Sequence, residues 1–181
     1  CIMQHKVKVT VIDKKCFTDY QEEYLADKQS GPCPFYHVGD EFVFERYDGV
    51  DDFWREGNGS QCAEAWDCIS RYIYTGLQGG SIMRGWTKDE RIMIACCNDG
   101  TRPVIFKIER IDYQVVRMEG ELDEKQVKLQ LESMSGVRQV EVIGKRGFAE
   151  IYLEDHVPEK SEEEFKQAVK TLRNCKITGV E

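Results

Sequence analysis

The spacing of apolar residues in the N-terminal half switches between strand-like and helix-like patterns. Polar and apolar residues alternate over residues 5–12, which predicts a half-buried strand. Four apolar residues recur at helical spacing within residues 16–27, which predicts a short helix with these side chains on its apolar face: Phe17, Tyr20, Tyr24 and Leu25. The further elements predicted here are a turn and strand over 38–45, a loop over 47–60, a helix from Ser60 to about Thr75 ended by Gly76, and antiparallel strands over 91–97 and 104–110.

After Asp112 the pattern changes to a strand–helix–strand–strand–helix–strand order. The predicted segments are residues 113–118, 122–134, 137–143, 148–153, 161–172 and 175–180. Ser161 with Glu164 three positions later is the pattern of a capping box at the start of the second helix. The order is that of the split β-α-β plan. We therefore predict an α+β protein with a mixed α+β domain over residues 1–112 and a ferredoxin-like βαββαβ domain over residues 113–181.

The amino-acid composition limits the kinds of partner that the chain is expected to bind. The formal net charge is −8, and both halves carry an acidic excess with no basic stripe. We expect no nucleic-acid partner, because phosphate binding requires clustered lysine and arginine. No apolar run approaches the roughly 20 residues that span a bilayer, and the first residues lack the apolar core of a signal peptide. We therefore expect a cytoplasmic protein with no membrane partner.

The eight cysteines are the main chemical lead. Structural disulfides are rare in the cytoplasm, so thiols there serve metal binding, catalysis or packing. Cys33 lies in Gly31-Pro32-Cys33-Pro34, where Pro34 biases it towards an extended backbone. Cys62 opens a predicted helix on its apolar face, and Cys96 ends a predicted strand. The other five are predicted to be peripheral, structural or incidental, namely Cys1, Cys16, Cys68, Cys97 and Cys175.

The leading hypothesis is a soft-metal site built from dispersed ligands. Cys33, Cys62 and Cys96 come from a turn, a helix start and a strand end, and one loop supplies both Cys33 and His37. Thiolate and imidazole bind zinc, and thiolates hold iron–sulfur centres. Cys96 and Cys97 are expected on opposite faces of their strand, so one strand does not aim both at one metal. The chain has no Cys-x-x-Cys pair, and each of the three thiols is also compatible with core packing.

Two other functions fit the same residues. A cysteine-dependent redox or transferase enzyme would use Cys33 or Cys96 as its nucleophile, with Arg102, His37 or Asp99 as a partner. Arg102, in a predicted loop near the thiols, is a candidate clamp for an anionic ligand. A structural or regulatory interaction module would hold no metal, show no fast thiol and form a concentration-dependent homodimer. The three hypotheses thus differ in metal content, thiol reactivity and assembly.

Residues 5–112 resemble a family of short prokaryotic proteins with no established activity. The resemblance is carried by Gly31-Pro32-Cys33-Pro34, Val38-Gly39-Asp40, the segment from Cys62 to Trp66, and the run from Cys96 through Asp99-Gly100 and Arg102-Pro103 to Arg110. It implies that Cys33, Cys62 and Cys96 are the signature thiols and that Cys68 and Cys97 are additional. The resemblance covers nearly the whole N-terminal half and brings no reaction with it.

Residues 113–181 are similar to a heavy-metal-associated domain of the metallochaperone type. The residues that carry the similarity are Val127, Leu131, Gly136, Val137, Val140, Val142 and the segments 148–153 and 161–169. That family binds soft metal through Gly-Met-x-Cys-x-x-Cys, and the corresponding cysteine positions here hold Gly120 and Asp123. The resemblance implies a ferredoxin-like module that lacks the metal-binding pair and serves packing, dimerisation or small-ligand sensing.

Overall fold

The computed structural model describes residues 3–45 and 61–181, and it confirms the mixed α+β class. The chain divides into two compact units, one of residues 5–111 and the other of residues 112–181 together with Met3 and Gln4. We call residues 5–111 the N-terminal unit and residues 112–181 the C-terminal unit. The predicted loop over 47–60 and the predicted cap at Ser60 lie outside the described residues.

The N-terminal unit combines strands with two helices. Its elements are β1 (Gln4–Lys14), α1 (Thr18–Tyr24), β2 (Glu41–Glu45), α2 (Ala63–Leu77), β3 (Ile92–Cys96) and the first part of β4 (Val104–Glu119). Strand β1 lies between β2 and β4, and β3 pairs with β4. The β1–β2 pair is antiparallel with Val7 opposite Phe44, and the β3–β4 pair is antiparallel with Ala95 opposite Phe106.

Alternation along β1 sets one wall of the core in this unit, as predicted. Val7, Val9 and Val11 are fully buried, because successive strand side chains point to opposite faces. Helix α2 contributes fully buried Ile69 and Ile73 to the same core. The helix continues past the predicted stop at Gly76 as far as Leu77. A Cβ atom on Gly76 would lie 2.7 Å from a methyl carbon of Val7, so glycine here permits close packing of helix on strand.

The predicted apolar face of α1 is wrong. Phe17, Tyr20 and Tyr24 are all exposed, with Tyr24 exposed by 72%, and the buried residue of the helix is Gln21. Helix α1 has seven residues, so a two-turn stripe of apolar residues is too short to fix which side faces the core. The side-chain hydrogen bonds of Gln21, described below, fix that side instead.

The C-terminal unit has the predicted order of elements, but its first strand is not separate: the strands predicted over 104–110 and 113–118 form one continuous strand, β4. Its elements are the second part of β4, α3 (Glu124–Glu132), β5 (Val137–Ile143), a 3-10 turn (Gly144–Arg146), β6 (Phe148–Leu153), α4 (Glu162–Ala168) and β7 (Lys176–Val180). Strand β4 pairs antiparallel with β6 and β7, and β6 pairs antiparallel with β5. The strand order is therefore β7-β4-β6-β5. The predicted capping box is confirmed, since the Ser161 and Glu164 side chains each accept from the other residue's backbone N–H.

Apolar residues from both helices and all four strands of the C-terminal unit form a second core. Its buried members include Val127 and Leu131 of α3, Ile151 of β6 and Phe165 of α4. No helix among residues 3–45 and 61–181 is long and apolar enough to cross a bilayer.

Candidate functional site

The loop that carries Cys33 is held by a buried glutamine. Gln21 is 1% exposed, and its amide makes two hydrogen bonds with the backbone of Gly31. Its Nε2 donates to the Gly31 carbonyl at 2.9 Å, and its Oε1 accepts from the Gly31 N–H at 3.0 Å. The same Nε2 lies 3.4 Å from the Thr101 hydroxyl. Helix α1 therefore fixes the turn two residues before Cys33, and Gly31 adopts the positive φ of 75° that glycine tolerates.

Tyr36 links the Cys33 loop to the start of α2. Its ring is 1% exposed and packs edge-on against Phe106, with ring centroids 5.2 Å apart. Its hydroxyl donates to Oε1 of Gln61 at 2.9 Å and accepts from the backbone N–H of Cys62 at 3.2 Å. Cys62 is the N-cap residue of α2 but makes no side-chain cap. The first turn of α2 is thus tied to Tyr36 through the backbone, and the Cys62 thiol is left without a capping role.

The pKa of the Tyr36 hydroxyl responds to burial and to three nearby cysteines. Burial raises the pKa of Tyr36 to about 12, against the opposing effect of the Cys62 N–H, and negative charge on Cys62, Cys33 and Cys97 raises it further in that order. These three thiols are half-buried and pack against the same apolar core. We call Cys33, Cys62 and Cys97 the thiol cluster.

Cys97, and not Cys96, belongs to this cluster. The two residues face opposite sides of the strand end, as the alternation predicted, and it is Cys97 that packs against the core while Cys96 is exposed. The Cys97 thiol accepts from the backbone N–H of Val104 at 3.3 Å, and the Cys97 N–H donates to the Val104 carbonyl at 3.1 Å. The β3–β4 connection therefore begins with a thiol held on the core side.

Arg102 stands close to the cluster as half of an ion pair. Its Nε donates to Oδ2 of Asp99 at 2.9 Å, and its Nη1 lies 3.5 Å from the Ser30 hydroxyl. The hydrogen bond to Asp99 raises the pKa of Arg102, and negative charge on Cys33 or Glu64 raises it further. The predicted anion-clamp residue is thus within electrostatic reach of Cys33, with one edge of its guanidinium already occupied.

Asp99 organises the turn that presents Arg102. Its Oδ1 accepts from the Thr101 N–H at 2.9 Å and from the Arg102 N–H at 3.2 Å. Burial alone would raise the pKa of Asp99, but the hydrogen bonds from Thr101 and Arg102 outweigh burial and lower it. The carboxylate is therefore charged at neutral pH and serves as the anchor of this loop.

A second group of polar contacts lies beside the cluster. The Cys68 thiol donates to Oδ1 of Asn98 at 2.7 Å, and Nδ2 of Asn98 donates to Oδ2 of Asp67 at 3.2 Å. Burial raises the pKa of Cys68, and charge on Asp67, Cys96 and Cys97 adds to the effect. Cys68 is therefore a protonated donor that ties α2 to the β3–β4 connection.

The predicted metal ligands are not gathered as one group. Cys33 and Cys62 are half-buried against the same core, whereas Cys96 is exposed and His37 is 77% exposed with Nδ1 3.9 Å from Oδ2 of Asp40. Within residues 3–45 and 61–181, no three His, Cys, Asp or Glu side chains are arranged to hold a metal ion. The soft-metal hypothesis stays a prediction.

The loop of the C-terminal unit that resembles a metallochaperone loop has structural roles instead. Asp123 is the N-cap of α3, and its side chain accepts from the Gln126 N–H. Gly120 has a φ of 119° and faces the Asn174 carbonyl so closely that a Cβ atom would clash with it. Both positions therefore shape the chain at the end of β4.

Sequence patterns did not point to Gln21, Tyr36 or Gln61. Each works through its polar atoms across a long sequence separation, and periodicity reports only apolar faces. The sequence carries no signal for these roles, since only the structure shows that Gln21 faces inward and that a buried polar side chain there has a buried partner.

Comparisons of this chain with protein-family models, curated proteins and solved structures gave no match. The residues around the thiol cluster are therefore the guide to function.

Proposed function

We propose that the protein is a thiol-based redox protein in which Cys33 and Cys62 form a reversible dithiol–disulfide couple. The carrying observation is that Tyr36, three residues after Cys33, accepts from the backbone N–H of Cys62 at 3.2 Å, and that both half-buried thiols pack against the same core. A reducing compartment such as the cytoplasm would keep this couple in its dithiol form until it meets a disulfide.

The surroundings give the two thiols different roles. Cys33 sits in a loop fixed by Gln21, and Nη1 of Arg102 lies 3.5 Å from the hydroxyl of Ser30 in the same loop. Cys62 is half-buried at the start of α2 with its backbone held by Tyr36. We assign Cys33 as the attacking thiol and Cys62 as the resolving thiol.

The reaction that fits this pair is exchange with the disulfide of a small molecule or a protein. The Cys33 thiolate attacks one substrate sulfur, the substrate S–S bond breaks, and one substrate thiolate leaves and takes up a proton. Deprotonated Cys62 then attacks the Cys33 sulfur, and the second substrate thiol leaves. The substrate gains two electrons, and the protein ends as the Cys33–Cys62 disulfide.

The test is a redox titration in glutathione buffers, followed by acid trapping, alkylation and mass-spectrometric mapping. We expect a Cys33–Cys62 disulfide that forms and disappears reversibly with the glutathione ratio. The Cys33→Ser and Cys62→Ser variants should lose it, and Cys16→Ser should keep it as a matched control from the same unit. A Cys33–Cys97 disulfide would overturn the assignment of Cys62, and the absence of any intramolecular disulfide would overturn the redox function.

Metal analysis of the same proteins tests the soft-metal hypothesis. Zinc and iron would be measured in anaerobically purified wild type and in Cys33→Ser. Under the redox proposal both contain negligible metal. Stoichiometric zinc or iron in the wild type that is lost in Cys33→Ser would replace the redox proposal with the metal site.

We further propose that the C-terminal unit is a ferredoxin-like domain. Its support is the β-α-β-β-α-β order of elements and the antiparallel strand order β7-β4-β6-β5, in which the first and third strands are central. This arrangement hosts unrelated functions, so the role of the unit has to be argued from its own surface.

A further inference from the structure

A cavity of about 340 Å³ opens in the C-terminal unit between the start of α3 and the segment that leads into β7. One wall contains Glu121, Asp123 and Val127, and the other contains Leu172, Arg173 and Cys175. The volume lies at the small end of the range typical of small-molecule sites. Nothing in the thiol cluster involves these residues, so the cavity is a separate feature.

Charges of both signs line the cavity. Glu121 and Asp123 supply carboxylates on the α3 side, and Arg173 supplies a guanidinium on the other. In the part of the chain that the structure describes, the side chains of Glu121 and Arg173 have no hydrogen-bond or ion-pair partner. Asp123 accepts from the Gln126 N–H with one oxygen and has a second oxygen to offer.

The floor between these charges is apolar. Val127 is 1% exposed and belongs to the core of the unit, and Leu172 packs against that core from the other wall. Cys175 adds a half-buried thiol whose sulfur lies 3.7 Å from the Met118 sulfur, and burial raises the pKa of this thiol. It is therefore neutral at pH 7 and contributes to the apolar surface.

The geometry points to a binding site for a free α-amino acid with an apolar side chain. Its ammonium group would meet Glu121 and Asp123, and its carboxylate would meet Arg173, which offers a planar fork of donors. Its side chain would cover Val127 and Leu172. An amino acid of this kind carries an ammonium, a carboxylate and an apolar group, and the lining offers an opposite charge or an apolar surface for each.

Other ligand classes match the lining less well. A phosphate or a simple carboxylate has no positive group of its own to offset the negative charges of Glu121 and Asp123. A polyamine has no negative group of its own to pair with the guanidinium of Arg173. A purely apolar ligand would leave all three charges to be desolvated without partners.

The test uses the full chain and a panel of the protein amino acids, with acetate and methylamine as single-charge probes. Binding is followed by calorimetry, by the shift of the melting temperature and by the alkylation rate of Cys175, which a ligand in the cavity would slow. We expect saturable binding of at least one apolar amino acid and none of acetate or methylamine at the same concentration.

Variants locate the site. Arg173→Gln and Glu121→Gln should each weaken binding about tenfold or more, because each removes a charged hydrogen-bond partner of the ligand. Arg138→Gln makes the same substitution at an exposed position of β5 outside the cavity and should bind like the wild type. Equal weakening by Arg173→Gln and Arg138→Gln would overturn the site, and so would the absence of amino-acid binding with no protection of Cys175. Preferential binding of acetate or methylamine would overturn the ligand class.

Discussion

The backbone N–H of Cys62 donates to the phenolic oxygen of Tyr36 at 3.2 Å, and this bond connects the first turn of α2 to a tyrosine that is 1% exposed. The same hydroxyl donates to Gln61 at 2.9 Å. One buried oxygen thus satisfies a backbone donor at a helix end, where four N–H groups lack partners within the helix. The position of Cys62 depends on that oxygen.

Tyr36→Phe should therefore destabilise the protein by about 1–3 kcal/mol, because it leaves the Cys62 N–H and Oε1 of Gln61 without their partner while keeping the ring. Urea unfolding measures the change in the free energy of unfolding. Tyr20→Phe is the matched control, since Tyr20 is 49% exposed, and its effect should stay within about 0.5 kcal/mol. Equal effects of the two substitutions would show that the Tyr36 hydroxyl has no structural role.

Ionisation of the same hydroxyl should make the free energy of unfolding depend on pH. The pKa of Tyr36 is raised from 10.0 to about 12 in the folded protein, so unfolded chains release this proton first as the pH rises. The protonated Tyr36 hydroxyl therefore contributes to the free energy of unfolding. This contribution is fully present below pH 10.0 and is lost between pH 10.0 and about 12, by about 2–3 kcal/mol. The free energy of unfolding would be measured against pH for wild type and for Tyr36→Phe. The difference between the two profiles isolates the contribution of Tyr36, because other groups titrate in both proteins. Parallel profiles across this range would contradict the assignment.

Gln21→Glu tests the clamp on the Cys33 loop. The substitution replaces the donor that faces the Gly31 carbonyl with an oxygen and places a charge at a position that is 1% exposed. We expect a loss of more than about 2 kcal/mol in the free energy of unfolding and faster alkylation of Cys33 under native conditions. Gln29→Glu makes the same change at an exposed position and should alter neither quantity. Unchanged alkylation of Cys33 in Gln21→Glu would show that the loop is held by other contacts.

The sequence pattern predicted strands and helix starts correctly where buried residues recur at a regular spacing. Val7, Val9 and Val11 alternate with polar residues and are buried as expected, and the capping box at Ser161 is present. In these cases the determinants lie within a few residues of one another. Local physical chemistry was therefore sufficient to locate the strand and the helix start.

The candidate site was harder to predict, because its parts meet only in the folded chain. The sequence identifies Cys33 and Cys62 as candidate site residues. No sequence pattern points to Tyr36, whose hydroxyl accepts from the Cys62 N–H. The choice between Cys96 and Cys97 depends on which face of the strand end meets the core. Alternation shows that neighbours face opposite sides, and only tertiary packing shows which side is covered.

Gly120→Ala tests whether the backbone at the end of β4 shapes the cavity of the C-terminal unit. Gly120 has a φ of 119°, and a Cβ atom there would clash with the Asn174 carbonyl, which is backbone and has little freedom to move. We expect a loss of about 2–4 kcal/mol in the free energy of unfolding and faster alkylation of Cys175, because the 171–175 segment has to move away from the loop. Gly179→Ala is the control, since a Cβ atom on Gly179 meets nothing within 4 Å and its φ is not in the positive range. A Gly120→Ala protein as stable as Gly179→Ala would show that the loop and Asn174 separate freely, and the cavity would then have no fixed wall.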